Sequence, residues 1–129
     1  MLRHLVWLLL GSTAWAGTLD VGPGKRFDSI GAAYKSARPG DTIRVHPLPD
    51  GQAYTSVALR INKRNITFQG VVLDGKRVKI DGKGANVSGR RPHPRALFQF
   101  DGGADESVLE GFEIYNARNK SRNGAGVRI

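Results

Sequence analysis

A repeated unit of an apolar residue, a polar residue and a glycine constrains the fold of this chain more than any other feature. The unit occurs at residues 68–70, 80–82 and 109–111, and residues 100–102 fit it less closely. A glycine at this point lets a strand turn a corner and resume as another strand. A series of strands and glycine corners is typical of a solenoid, whose stacked rungs satisfy one another's backbone hydrogen bonds.

The segments around these units are short and rich in β-branched or aromatic residues, and their side chains alternate with a period of two, which indicates strands. Strands are predicted at residues 42–45, 57–61, 66–68, 78–80, 96–100, 108–110, 112–115 and 126–129. Asp-Gly pairs between them form turns, so a hairpin meander is the first alternative. The repeated unit favours the solenoid instead. Two strands end in Asn62 and Asn116, which either stack and bond to each other at a repeated turn or lie in ordinary surface turns.

One short amphipathic helix is predicted ahead of these strands. Its apolar face has residues spaced three, four and three apart: Phe27, Ile30, Tyr34 and Ala37. Asp28 or Ser29 can cap its first turn with a side-chain oxygen. Pro39 ends it, because the residue before a proline is pushed out of the helical region.

Residues 22–43 resemble the opening of pectin lyase-like proteins, from Gly-Pro-Gly at residues 22–24 to Pro-Gly-Asp-Thr-Ile at residues 39–43. Residues 107–114 and 123–129 are similar to successive rungs of the same family. The resemblance implies an all-β fold, a right-handed parallel β-helix, with an N-terminal amphipathic helix that caps the solenoid. We therefore expect residues 17–129 to form the cap helix and first rungs of such a domain.

Residues 1–16 have the order of a secretory signal peptide: a basic start, an apolar run at residues 5–10 and a small-residue cleavage site at Ala14 and Ala16. The apolar run is far shorter than the roughly 20 residues of a membrane-spanning helix. The sequence therefore predicts a secreted or periplasmic protein with no membrane span. It has no cysteine, which argues against a disulfide-rich secreted module.

The strand predicted at residues 126–129 has no polar capping element after it. A bare rung exposes unpaired backbone groups and apolar side chains to water. We therefore expect the sequence to be a truncated part of a longer protein. The remaining rungs of that chain, or self-association, would cover the open end.

The formal charge of +9 favours anionic partners, and the signal peptide makes nucleic acid the least favoured of them. Most basic residues are dispersed along the chain, as on a solvated surface. Pro92 and Pro94 indicate an extended loop, which carries Arg90, Arg91 and Arg95, with Lys83 nearby in sequence. These residues are the predicted substrate-binding site, a rim that holds an acidic polysaccharide through charge-assisted hydrogen bonds. An ordinary solvated loop is the simpler interpretation.

The resemblance implies polysaccharide lyases, which combine calcium-binding carboxylates with a base, or glycoside hydrolases with paired aspartates. None of their motifs matches a position here, so no catalytic residue is predicted. An acidic group is formed by Asp101, Asp105 and Glu106, but its glycine-rich interior indicates a loop rather than a metal site. His46 and His93 look isolated. No cofactor or metal is evident in the chain, and calcium stays open for the longer protein by resemblance alone.

These observations predict the N-terminal part of an exported β-helix protein that acts on acidic polysaccharide, with no activity in this chain alone. The alternative is a non-catalytic β-solenoid for glycan binding, adhesion or surface structure. The choice between them rests on resemblance and not on a site, because one fold serves many functions.

Overall fold

The computed structural model describes residues 15–129. Residues 1–14 of the predicted signal peptide, including Ala14 of its cleavage site, lie outside the described residues. Of the cleavage triplet the structure describes Trp15 and Ala16, and both are exposed.

Nine strands, one α-helix and one short 3₁₀ helix make up the regular structure of residues 15–129. In chain order the elements are β1 (Thr18–Val21), α1 (Ile30–Ser36), β2 (Thr42–Val45), the 3₁₀ helix (Pro49–Gly51), β3 (Leu59–Ile61), β4 (Thr67–Gly70), β5 (Val78–Asp81), β6 (Ala96–Phe100), β7 (Val108–Glu110), β8 (Phe112–Tyr115) and β9 (Ala125–Arg128).

The strands form three sheets: sheet A in the order β1-β2-β4-β7, sheet B with β5-β8, and sheet C in the order β3-β6-β9. Every ladder between these strands is parallel. From β4 onward the chain passes through sheets A, B and C and then through all three again, and we call one such passage a circuit. A hairpin meander is therefore wrong, because sequential hairpin strands pair antiparallel.

An earlier circuit runs through β2 in sheet A and β3 in sheet C, and between them Tyr54 is the residue that pairs with sheet B. The Tyr54 N–H donates to the carbonyl oxygen of Lys79 at 2.9 Å, and the Tyr54 carbonyl accepts from the N–H of Asp81 at 2.9 Å. This single parallel bridge pairs Tyr54 with Ile80. In the earlier circuit sheet B therefore consists of the single bridge at Tyr54, and in the next two circuits it has the full strands β5 and β8.

The core is built from side chains that stack in register from circuit to circuit. Phe68 of β4 is in register with Ile43 of β2 on one side and with Leu109 of β7 on the other. Its fully buried ring lies 5.6 Å from the ring centroid of Phe98 and 6.0 Å from that of Tyr34. Parallel pairing in register therefore brings together residues that are far apart in the sequence.

The predicted helix is confirmed, and Ser29 is its cap. The Ser29 hydroxyl accepts a hydrogen bond from the N–H of Ala32 at 3.1 Å. The face with Ile30 and Tyr34 is buried. Phe27 precedes the helix rather than belonging to it, and it forms a parallel bridge with Val21.

Tyr34 ties the helix to the corner after β3. Its hydroxyl donates to Oδ1 of Asn62 at 3.0 Å and accepts from the backbone N–H of Asn62 at 2.9 Å. The ammonium of Lys63 donates to the carbonyl oxygens of Tyr34 and Ala37, each at 2.8 Å. The bond to Ala37 satisfies a carbonyl group that the end of the helix leaves without a partner, while the Tyr34 carbonyl also accepts from the N–H of Ala37 at 3.0 Å.

The hypothesis that Asn62 and Asn116 stack on each other is wrong. Asn62 follows a strand of sheet C, whereas Asn116 follows a strand of sheet B. Asn62 bonds to Tyr34, and the Asn116 amide donates to Oδ1 of Asp81 at 3.0 Å. Asn62 therefore stabilises the corner after β3, and Asn116 stabilises the corner after β8.

The predicted strands agree with the observed ones to within two residues at each end, but β1 (Thr18–Val21) was not predicted. This strand of four residues is followed at once by Gly-Pro-Gly, and its only strand partner is β2. Strand β1 therefore forms only by pairing with β2, which follows the helix in the sequence, and no local sequence pattern indicates it. No helix in residues 15–129 is long and apolar enough to cross a membrane.

Candidate functional site

Two loops lie side by side at the corner between sheets B and C. Residues 82–95 join β5 to β6, and residues 116–124 join β8 to β9. The loops are neighbours because β5 pairs with β8 and β6 pairs with β9. The Asn119 side-chain amide donates to the carbonyl oxygen of Val87 at 2.9 Å, and the N–H of Ala125 donates to the carbonyl oxygen of Arg95 at 3.0 Å. The parallel ladders therefore fix one loop against the other.

A cleft of about 580 Å³ opens between the two loops. Its lining residues are Gly84, Ala85, Asn86, Val87, Ser88, Arg90, His93, Arg118, Asn119, Lys120 and Ser121. A hollow of about 430 Å³ shares Gly84 and Arg118 with it and adds Gly82, Lys83 and Asn116. We call the cleft and the hollow together the basic cleft.

The charge of the basic cleft has one sign. Every charged residue of the two loops is lysine or arginine. Four of these cations line the basic cleft and are exposed to solvent: Lys83, Arg90, Arg118 and Lys120. None of the ion pairs found in residues 15–129 involves them. The Asp81 carboxylate lies beside Lys83: the backbone N–H of Lys83, then the Asn116 amide and the Lys83 charge, lower the pKa of Asp81. The charges of Arg90, Arg118 and Lys120 are available to an anion, and their mutual repulsion favours one.

Short hydrogen bonds shape the loop that carries Arg90. The Asn86 side chain accepts from the N–H of Ser88, and the Ser88 hydroxyl accepts from the N–H of Arg90, each at 3.2 Å. Val87 is buried and anchors this part of the loop to the core. Such side-chain to backbone bonds are typical of asparagine and serine in turns. They hold the Arg90 backbone at the cleft.

Arg60 on β3 holds the far side of the same loop. Its guanidinium donates to the carbonyl oxygens of Pro92 and His93, each at 3.2 Å. It also donates to the Asp101 carboxylate at 3.1 Å, whose other oxygen accepts from the Gln99 amide at 2.8 Å. The hydrogen bond from Gln99, and then that from Arg60, lower the pKa of Asp101. No local sequence pattern indicates this role for Arg60, because its partners are more than thirty residues away.

The structure separates the arginines that the sequence grouped. Arg90 lines the basic cleft, together with the Lys83 that was expected near it. Arg91 is exposed but does not line the cleft, and it contributes to lowering the pKa of Asp101. The side chain of Arg95 packs over Gly89, and its backbone joins the loop to β6 and β9.

Sequence reasoning missed Arg118 and Lys120, which belong to the next circuit. The sequence did contain an indication of them: in the predicted solenoid, the loop after β8 would lie beside the loop after β5. Both loops have only basic charges.

The acidic group is divided among separate partners. The carboxylate of Asp101 bonds to Arg60 and Gln99, and that of Glu106 bonds to Arg64 at 2.6 Å. Three or more metal-ligating side chains do not come together anywhere in residues 15–129. Residues 101–107 join β6 to β7 without regular structure, so the interpretation of this segment as a loop is confirmed.

His46 is not isolated, contrary to the expectation. Its Nε2 lies 2.7 Å from Oδ1 of Asp20, and Arg44 donates to the same oxygen at 2.8 Å. The hydrogen bond from Arg44, followed by that from His46, lowers the pKa of Asp20 to about 2. The three side chains meet because β1 and β2 pair in register with Asp20 opposite Arg44.

A larger groove of about 820 Å³ lies elsewhere, between the segment after β2 and the loop before β5. Its rim mixes the cations Lys76 and Lys79 with the carboxylates Asp74 and Glu113. Opposite charges near each other reduce the field that an anion would feel. The basic cleft is therefore the better candidate site, although it is smaller.

Comparisons with family models, curated proteins and solved structures found no match to this chain. The resemblance to pectin lyase-like proteins therefore stays a prediction.

Proposed function

We propose that this chain is the first part of an exported, right-handed parallel β-helix protein and that its basic cleft binds an acidic polysaccharide. The observation that carries the binding proposal is the set of four exposed cations in one cleft whose lining has no carboxylate. The repeated passage through three parallel sheets supports the β-helix. The basic and apolar order of residues 1–16 supports export.

Carboxylate groups repeated along a glycan suit this cleft physically. Guanidinium groups form charge-assisted, bidentate bonds with carboxylates, and Arg90 and Arg118 supply two of them. Lys83 and Lys120 add mobile point charges, while Asn86 and Ser121 offer polar groups to sugar hydroxyls.

Binding rather than catalysis is the role that we assign to the described residues. A glycosidase uses two carboxyl groups on either side of the scissile bond. In the described part of the chain, Asp101 and Glu106 lie outside the basic cleft and are occupied by arginines. The hypothesis that the longer protein cleaves its glycan rests on the resemblance, and a non-catalytic glycan-binding solenoid is what the cleft itself favours.

Titration with polygalacturonate tests the binding proposal. We expect saturable binding that weakens with added salt, and no binding to an uncharged glucan. Arg90→Ala/Arg118→Ala/Lys120→Ala should lower the affinity at least about tenfold, since each lost charge-assisted bond is worth about 1 kcal/mol or more. Lys25→Ala/Lys35→Ala/Arg38→Ala removes the same charge from exposed positions near the helix and should change the affinity less than about twofold. Equal losses in the two triple variants would show that net charge, not the cleft, attracts the polymer.

Product analysis separates binding from cleavage. Incubation of the chain with polygalacturonate should release neither unsaturated ends nor new reducing ends. Release that disappears in the cleft variant would instead assign catalysis to this chain.

Nuclear magnetic resonance tests the fold. Phe68 should show cross-strand nuclear Overhauser effects to both Ile43 and Leu109, which flank it in register. Effects to antiparallel hairpin partners instead would contradict the proposed β-helix.

A further inference from the structure

The carboxylate of Asp41 is buried at the start of sheet A. Asp41 directly precedes β2 and is only 7% exposed. Its Oδ2 accepts from the backbone N–H of Arg38 at 2.8 Å. None of the ion pairs found in residues 15–129 involves Asp41. A buried charge is usually paired, because its removal from water costs free energy. The described residues therefore give this carboxylate hydrogen bonds but no cation.

The other oxygen of this carboxylate is bonded to Gly17. The Gly17 N–H donates to Oδ1 of Asp41 at 2.9 Å. Sheet A fixes the position of Gly17, since its carbonyl oxygen accepts from the N–H of Thr42 at 2.9 Å. That bond lies directly beside the pairing of Thr18 with Thr42. The ladder that forms β1 therefore also places the backbone nitrogen of Gly17 at a buried carboxylate.

Gly17 is also the residue that follows the predicted cleavage site. A peptidase that removes residues 1–16 hydrolyses the peptide bond between Ala16 and Gly17. Water supplies a hydroxyl to the carbonyl carbon of Ala16 and a proton to the nitrogen of Gly17, which becomes an α-amine. Such an amine has a usual pKa of about 7.7–8.0, so that it is mostly an ammonium at neutral pH. Cleavage thus creates a cation at the nitrogen that already bonds to Asp41.

We propose that the new α-ammonium of Gly17 forms an ion pair with Asp41 and makes the processed protein more stable than its precursor. With residues 1–16 attached, the Gly17 nitrogen donates as a neutral amide. After cleavage the same nitrogen donates with a positive charge, and charge-assisted bonds are roughly twice as strong as neutral ones. This inference rests on the proposed export, and it is independent of the proposed glycan binding.

The ion pair stabilises the first end of β1. At the other end of this strand, the Asp20 carboxylate already bonds to Arg44 and His46. Among the strands of residues 15–129, β1 pairs with β2 alone. Both ends of β1 are therefore held by charge once residues 1–16 are removed. Cleavage adds this stability only after export has begun.

Mass spectrometry of the exported chain tests the cleavage. The 129-residue chain is expressed with residues 1–16 intact, and we expect the exported protein to have the mass of residues 17–129. A chain that is not exported would contradict the export proposal and this inference with it. Export with cleavage at another bond would leave the export proposal standing and overturn the ion pair alone.

Selective acetylation tests the ion pair. At about pH 6.5, acetic anhydride modifies the Gly17 α-amine before the lysines, whose usual pKa is about 10.4, and peptide mapping identifies the site. The acetyl group removes the charge and restores an amide N–H like that of the precursor. In urea denaturation, acetylation should raise the unfolding equilibrium constant about five- to tenfold. The exposure of Gly17 keeps this effect below that of a fully buried pair.

Asp41→Asn is the matched variant, because it keeps an oxygen that accepts from the Gly17 N–H but removes the negative charge. Acetylation of this variant should change its unfolding equilibrium constant less than about twofold. Circular dichroism checks folding, and Asp41→Ser takes its place if it does not fold, since a serine hydroxyl also accepts from nearby backbone N–H groups. Acetylation without effect on the original chain, or with equal effects on the original chain and the variant, would overturn the proposal.

Discussion

Gly70 and Gly111 stack backbone against backbone at the corner where the chain leaves sheet A. A Cβ atom on either residue would overlap the carbonyl oxygen of the other. Gly111 also has a φ of +82°, which is strained for residues with a side chain. The repeated glycine of the sequence thus has a steric cause, since two consecutive circuits approach each other here too closely for any side chain.

Substitution of the stacked glycine should destabilise the fold. We expect Gly70→Ala to lower the free energy of unfolding by about 1–3 kcal/mol, because the backbone must shift to admit the methyl group. Gly102→Ala is the matched control: its Cβ would meet nothing within 4 Å, and the change should stay within about 0.5 kcal/mol. Urea denaturation followed by circular dichroism measures both. Equal stability of the two variants would contradict the close approach.

The hydroxyl of Tyr34 should contribute more to stability than that of an exposed tyrosine. Tyr34→Phe leaves the backbone N–H of Asn62 and the Asn62 amide without their partner. We expect a loss of about 1–3 kcal/mol. Tyr115→Phe removes the same atom from an exposed position on β8 and should change stability by less than about 0.5 kcal/mol. The urea midpoints of the two variants measure both changes. A loss for Tyr34→Phe no larger than that for Tyr115→Phe would show that contacts other than the Tyr34 hydroxyl hold the helix.

Acid should weaken the contact between β1 and β2. The pKa of Asp20 is about 2 in the folded chain, below the usual value of 3.8, because Arg44 and then His46 bond to its carboxylate. A lowered pKa stabilises the fold above pH 4, and this contribution is lost as the pH falls from about 4 to about 2. The pair is partly exposed, so the loss is at most about 1 kcal/mol. Asp20→Asn should show a smaller fall in urea midpoint over that pH range than the original chain, and parallel curves would refute the assignment.

Arg60 should protect the Arg90 loop from proteolysis. Arg60→Met removes the donors to the carbonyl oxygens of Pro92 and His93. We expect trypsin to cut after the exposed Arg90 several-fold faster, because local opening of the loop then costs less free energy. Arg64→Met, which loses only an exposed pair with Glu106, should leave the rate unchanged. Mass spectrometry identifies the cut, and equal rates for both variants would mean that other contacts hold the loop.

The candidate site could be predicted only in part. Arg90 and Lys83 were identified because they lie close together in the sequence. Arg118 and Lys120 come from the next circuit, and only the parallel pairing of β5 with β8 brings them to the same cleft. Arg91 and Arg95 lie within five positions of Arg90 in the sequence but contact other partners, since the conformation of a loop depends on contacts such as those of Arg60.

The sequence by itself determined the local structure: the strand segments with period two, the glycine corners, and a short helix with Asp28 or Ser29 as its cap. These features depend on side-chain periodicity and backbone sterics within a few residues. Tertiary structure alone decided that β1 pairs with β2, that Asp20 meets Arg44 and His46, and that two basic loops enclose one cleft. Those contacts join residues at least 24 positions apart, and their register follows from burying the apolar face of every strand at once.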